Sequence, residues 1–137
     1  MSALALFCGL FLIYNHWFAD FLLQTEDMAT KKSTSNYWLF RHVAAYTIGM
    51  LPSSIMVTLM NLQNPFLGVL WLFINCLLHY ATDYGTSRWT SKLYANKQFY
   101  SPNKYLKFIN FPAFFSVIGF DQCIHYTCLF VSFCILT

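Results

Sequence analysis

Phe66-Leu-Gly-Val-Leu-Trp-Leu-Phe-Ile-Asn75-Cys-Leu-Leu-His79-Tyr-Ala-Thr-Asp83-Tyr-Gly-Thr-Ser87 is an apolar run that carries an imidazole and a carboxylate four residues apart. About 20 predominantly apolar residues cross the hydrocarbon of a bilayer as a helix, so the run reads as a membrane span. Residues four apart lie on one face of a helix, so His79 and Asp83 share a stripe. The same spacing stands in His16-Trp-Phe-Ala-Asp20, and it is reversed in Asp121-Gln-Cys-Ile-His125. His42 adds a fourth imidazole with no acid at that spacing. Ionisable groups at membrane depth are costly and mark function by default.

Outward from that run the rest of the chain follows the same plan. Of its 137 residues 58% are hydrophobic and 9% charged, against about 25% charged in an ordinary soluble domain. Such a chain cannot cover a water-exposed surface, and the length suits one integral membrane domain. The expected architecture is all-α, a four-helix transmembrane bundle with spans at about 2–24, 39–60, 66–87 and 112–136. The first run lacks a basic leading region and is too long for a signal peptide, so it reads as a retained span. Pro52 is expected to kink the second span, and Asn64-Pro65 to turn the chain between the second and third. The stretch from Arg88 to Phe108 alternates basic and aromatic residues and reads as an interfacial segment between the third and fourth spans. The five cysteines lie in apolar runs without a C-x-x-C pair and read as small buried hydrophobes.

Basic residues fix the expected orientation. Lys31, Lys32 and Arg41 flank the first connection, and Arg88, Lys92, Lys97, Lys104 and Lys107 flank the third; these are all 8 Lys and Arg of the chain. The positive-inside rule then places both connections in the cytoplasm and both termini outside, in a multi-pass protein of the inner membrane. The net charge of +3 is accounted for by this topology, and no nucleic-acid partner is expected.

Antiparallel spans at 1.5 Å per residue bring His16, Asp20, His42, His79, Asp83, Asp121 and His125 to a similar depth toward the cytoplasmic side. Gln24, Asn75, Ser87 and Gln122 extend their stripes. A carboxylate at a helix centre costs about 2.5–3.5 kcal/mol on insertion scales. Three unpaired ones would cost on the order of 8–10 kcal/mol, comparable with the whole stability of a small protein. A cation, protons, the histidines or cavity water must therefore neutralise Asp20, Asp83 and Asp121. Imidazole nitrogen with carboxylate oxygen suits a divalent metal, zinc or manganese, and all seven residues are candidate ligands. The bland alternative is that the pairs hydrogen-bond across the bundle as polar glue. No Gly-rich phosphate loop, G-x-S-x-G or H-E-x-x-H is present.

The motifs His16-x-x-x-Asp20-Phe-x-x-Gln24, Lys31 or Lys32, His42-x-x-x-Tyr46, His79-x-x-x-Asp83 and Phe120-Asp121-Gln122-x-x-His125 follow one another over most of the chain. With them the chain resembles domain-of-unknown-function family 3307, small integral membrane proteins of bacteria and their phages. It is also distantly similar to membrane-bound metal-dependent hydrolases. The resemblance implies a histidine/aspartate site within the membrane and no particular reaction. Its members carry a lysine after the third-motif aspartate, where this chain has Tyr84-Gly-Thr-Ser-Arg88; the basic role is expected to have moved to Arg88.

The leading functional expectation is a metal-dependent hydrolase open to the cytoplasm, acting on an inner-leaflet lipid or a cytosolic phosphoester. Asp121 would be its general base, with Arg88 and Lys31 holding phosphate. The alternatives are a proton or ion transport component using the His/Asp stripes, and a non-catalytic phage or bacterial membrane interaction protein. A homo-oligomer is compatible with each.

Overall fold

The computed structural model describes residues 3–96 and 113–137, and these are almost wholly helical. The first span is an α-helix, α1 (Ala3–Trp17), whose last turn widens into a π-turn at Phe18–Leu22. After Leu23 and Gln24, Thr25 starts a short helix, α2 (Glu26–Lys31). The Thr25 hydroxyl accepts the Met28 N–H at 3.3 Å, and Glu26 and Asp27 place negative charge on the first turn. Both satisfy the exposed N–H groups of a helix start. α3 (Asn36–Gly49) and α4 (Leu51–Met60) meet at a bend of 44° in the region expected to form the second span, and only together are they long and apolar enough for one. Pro52 causes the expected break, because it offers no N–H to the carbonyl one turn back.

After the Asn61–Pro65 turn, α5 (Phe66–Ala95) runs for 30 residues, and the fourth span is α6 (Ala113–Leu136). At 1.5 Å per residue α5 is about 45 Å long, against a hydrocarbon core of about 30 Å. Its last turns therefore stand clear of the apolar layer. The third span had been expected to end at Ser87; the helix continues because Ser87 to Ala95 contains neither Pro nor Gly. Of the expected interfacial segment, the part to Ala95 is thus a continuation of α5. Its residues 97–108 lie outside the described residues, as do Ser2 and Pro112. The first span ends two residues early, at Leu22, and the second starts three residues early, at Asn36.

Three helices are long and apolar enough to cross a membrane, and four if α3 and α4 form one broken span. The distribution of side chains agrees. Phe7, Leu10, Ile48, Ile55, Phe73 and Val131 face outward, whereas His16, His42, His79, Asp20, Asp83 and His125 are buried. A bundle that is apolar outside and ionisable inside suits lipid as its solvent.

Two glycines let the backbones approach closely enough to build that interior. A Cβ on Gly49 would lie 2.7 Å from the Ala19 Cβ and 2.7 Å from the Leu23 Cδ1, so α3 and the π-turn touch at this position. A Cβ on Gly68 would meet the Thr58 hydroxyl and, at 2.6 Å, the Ser54 carbonyl, where α5 packs on α4.

Candidate metal centre

Each span delivers its polar stripe to the end of the bundle next to α2. The π-turn carries Asp20, α3 carries His42 and Tyr46, α5 carries His79 and Asp83, and α6 carries Asp121 and His125. A π-turn changes the angle at which the following side chains leave a helix, and such turns recur at functional sites. Here it aims Asp20 across to α3, and Gly49 leaves room for it.

His42, His79, Asp20 and Asp83 converge. His42 Nε2 lies 3.1 Å from Asp20 Oδ1, 3.1 Å from Asp83 Oδ2 and 3.2 Å from His79 Nε2. His79 Nε2 lies 3.5 Å from Asp20 Oδ1 and 3.8 Å from Asp83 Oδ2. All four residues are at most 3% exposed. A zinc ion with four ligands at about 2.0–2.1 Å in a tetrahedron separates them by about 3.3–3.4 Å. Five of the six edges of such a tetrahedron are therefore present at 3.1–3.8 Å.

Hydrogen bonding alone does not satisfy this arrangement. His42 Nε2 carries at most one proton, yet it faces two carboxylate oxygens, a second imidazole nitrogen and, at 3.2 Å, the Lys32 ammonium. With the proton on, it repels Lys32; with the proton off, it repels both carboxylates. The Nδ1 atoms of His42 and His79 are buried without a hydrogen-bond partner among the described residues, where each ring is engaged through Nε2. A cation at the centre would resolve both conflicts, with the ring protons on Nδ1.

Lys32 was read from the sequence as a topology signal with Lys31; the structure separates the two. Lys31 bonds Asp27 at 2.6 Å on the surface and lies over the Trp38 ring. Lys32, just past the end of α2, turns inward and donates to Asp83 Oδ2 at 2.7 Å. The capped start at Thr25-Glu26-Asp27 is the sequence signal that sets α2 and hence which lysine enters. Asp20 and Asp83, with Asp121 beside them, against the Lys32 ammonium leave two negative charges when the imidazoles are neutral, which one divalent cation would offset.

A second group shares Asp83. His125 Nε2 lies 3.2 Å from Asp83 Oδ1 and 3.4 Å from Asp121 Oδ1, and Asp121 also accepts the Thr86 hydroxyl. Gln122 fastens the two ends, its amide donating at 3.1 Å to Asp20 Oδ2 and at 3.1 Å to Asp121 Oδ2.

His16 stands beside these groups, its Nε2 3.7 Å from Asp20 Oδ2, without being one of the residues whose donors converge in either of them. Its Nε2 faces the Gln122 carbonyl oxygen at 3.3 Å and its Nδ1 the Tyr46 hydroxyl at 3.3 Å. Because the Gln122 amide nitrogen must face carboxylates, His16 carries its proton on Nε2 and accepts from Tyr46 on Nδ1. Both nitrogens are thus spent on protein partners, and His16 positions Gln122 and Tyr46. The Tyr46 ring in turn stacks on His79, with centroids 3.7 Å apart. Tyr46 and Thr86 escaped the reading from residue spacing, although Tyr46 sits one helical turn after His42 in the family-like motif.

Arg88 is not brought to the cluster. Its guanidinium lies 3.7 Å over the Tyr84 ring and donates to Asn36 Oδ1 at 2.7 Å, on the outer side of α5. Being five residues past Asp83, it points well away from the Asp83 stripe. Lys32 supplies the positive charge that had been expected from Arg88 and Lys31.

A cavity of about 560 Å³ opens over the cluster at the α2 end. Asp20, Asp83, Asp121 and Lys32 reach its floor, and hydroxyls such as Ser87 and Thr90 line the extended end of α5. The Ser87 hydroxyl and the Gln24 carbonyl oxygen have no hydrogen-bond partner there among the described residues.

A family model described as "Protein of unknown function (DUF3307)" matches residues 7–137. No curated protein and no solved structure matches the chain.

Proposed function

The chain belongs to the DUF3307 family, and from that premise we propose that it is a membrane-embedded, metal-dependent hydrolase of phosphoesters, carried by an inner-leaflet lipid or dissolved in the cytosol. The observation that carries this reading is the tetrahedral set of His42, His79, Asp20 and Asp83. Zinc fits that geometry better than manganese, which favours six oxygen-rich ligands. A divalent ion with a position open to water would lower the pKa of that water toward about 7 and polarise a phosphoryl oxygen. The chain's own contribution is the chamber: Asp121 on its floor to take the proton, Lys32 to attract an anionic phosphate, and an apolar exterior that keeps bulk water to one entrance. Basic connections in the cytoplasm and termini outside put that entrance on the cytoplasmic face.

Beyond the cluster the bundle offers no ionisable relay. Residues 1–15, 47–78 and 126–137 contain no Asp, Glu, Lys, Arg or His. Several buried polar groups there pair with one another, as in Ser53 with Asn15 at 3.0 Å and Asn75 with Ser132 at 2.9 Å. This favours a one-sided site over a transport path.

The test is elemental analysis of detergent-purified protein. At least one zinc per chain, lost in His79→Ala, is expected together with hydrolysis of a phosphoester. Protein that folds and holds no stoichiometric metal refutes the hydrolase, and a proton current carried by that protein in liposomes would point to transport instead.

A further inference from the structure

Four protein ligands close a tetrahedral ion. Structural zinc sites have this form, whereas catalytic ones keep three protein ligands and leave the fourth position to water. The His42/His79/Asp20/Asp83 set admits a water only by expanding its coordination. The group beside it has the complementary form. Asp83 Oδ1, Asp121 Oδ1 and His125 Nε2 are three donors within reach of one ion.

We propose that the centre is dinuclear: a closed ion at His42/His79/Asp20/Asp83 and an open one at Asp83/Asp121/His125, bridged by the Asp83 carboxylate. The inference rests on the metal reading above and assigns the water-activating position within it. Asp83 presents Oδ2 to the first group and Oδ1 to the second, as a bridging carboxylate must. Paired ions in hydrolytic centres stand about 3.5–4 Å apart, within the span of one such bridge.

Two further observations support the open ion. His125 Nε2 has one proton at most for two carboxylate oxygens, at 3.2 and 3.4 Å, so hydrogen bonding leaves one of them unmatched. The cavity supplies the other. Asp121 lines it beside Asp83 and Asp20, whereas the imidazoles of His42, His79 and His125 do not. A water on the open ion therefore faces the chamber into which a phosphoester would enter. With a second ion Asp121 would serve as a ligand rather than as general base, and the ion would supply the acidity that activates a water facing the cavity, whose proton would leave to cavity water.

The charges also set an order of filling. The first divalent ion neutralises the two excess negative charges of the cluster; the second adds two positive charges, which only hydroxide and an anionic substrate offset. The open position is therefore the weaker of the two.

Equilibrium dialysis of the full chain against zinc, followed by elemental analysis, tests this. Two zinc ions per chain are expected, bound in separate steps. His125→Ala and the shape-conserving Asp121→Asn should each remove the weaker step and keep the tighter one, and retention of the tight zinc shows that the bundle is still assembled. Wild-type protein that saturates at one zinc overturns the second site and leaves the metal reading standing, as does a second step that survives both substitutions. Loss of both ions together from a variant that still unfolds cooperatively overturns the division into two sites. Wild-type protein that binds no zinc removes the reading on which both rest.

Discussion

Replacing Lys32 by methionine separates a bundle held by its own ammonium from one built around a metal. Lys32 Nζ donates to Asp83 Oδ2 at 2.7 Å and lies 3.2 Å from His42 Nε2, and its side chain is 18% exposed. Without metal this ammonium is the only fixed positive charge among the described residues that reaches the three carboxylates. Removing one partner of a buried ion pair costs about 3–5 kcal/mol, and Lys32→Met should destabilise the chelated protein by that order. With an ion bound to the same carboxylates, the ammonium would stand about 4 Å from a doubly charged centre. Unit charges at that distance interact by about 4 kcal/mol at an effective dielectric of 20, so the repulsion reaches about 8 kcal/mol if nothing moves. The partly exposed Lys32 side chain swings outward and relieves most of it. We expect a residue of about 1.4–2.8 kcal/mol, which makes zinc bind about 10–100-fold more tightly to Lys32→Met. Zinc should correspondingly restore most of the stability that the substitution removes. The assay is thermal or denaturant unfolding in detergent, with chelator and with zinc, beside a zinc-binding isotherm. An affinity that falls or stays unchanged would show that the ammonium and the ion do not compete for Asp83, and the charge argument would fail with it.

Other substitutions divide the surroundings of the centre. Gly49→Ala gains about 1 kcal/mol of helix propensity but drives a methyl to 2.7 Å from both Ala19 and Leu23. Overpacking of this kind costs about 1–3 kcal/mol, so a net loss of stability and weaker zinc binding, through the displaced Asp20, are expected in unfolding and dialysis measurements. His16→Ala should leave the number of bound ions unchanged and weaken their binding by about 10–100-fold, the usual effect of removing a group that orients ligands; a change in stoichiometry would make His16 a ligand after all. Arg88→Ala removes a contact with Tyr84 on the outer face, so stability should shift by less than about 1 kcal/mol and zinc binding not at all. A lost ion in Arg88→Ala would contradict the placement of this side chain.

Much of the centre was legible because its logic is local. The spacing of His79 and Asp83 puts both on one stripe whatever the rest of the chain does, and the same holds for Asp121 with His125. Basic connections and the Asn64-Pro65 turn fix the antiparallel order, and that order brings the stripes level. What escaped depends on contacts between elements. Nothing in Phe18–Leu22 marks a π-turn, which is needed to aim Asp20 at His42. Lys31 and Lys32 look alike until α2 is capped at Thr25, which turns one to Asp27 and the other to Asp83. Arg88 was assigned to the site by nearness in sequence, but five residues of helix rotate it away from Asp83. His16 shares its spacing with true ligand candidates, and only the positions of Gln122 and Tyr46 reveal that both its nitrogens are taken.

The order of donors along the chain has a consequence for biosynthesis. Asp20, His42, His79 and Asp83 all precede α6, whereas Asp121 and His125 are on it. With the proposed pair of ions, a nascent chain leaving the ribosome would complete the sealed cage once three hairpinned segments had entered the bilayer. The reactive half would be added only by the last one, so the emerging polypeptide would have its anchor before its chemistry.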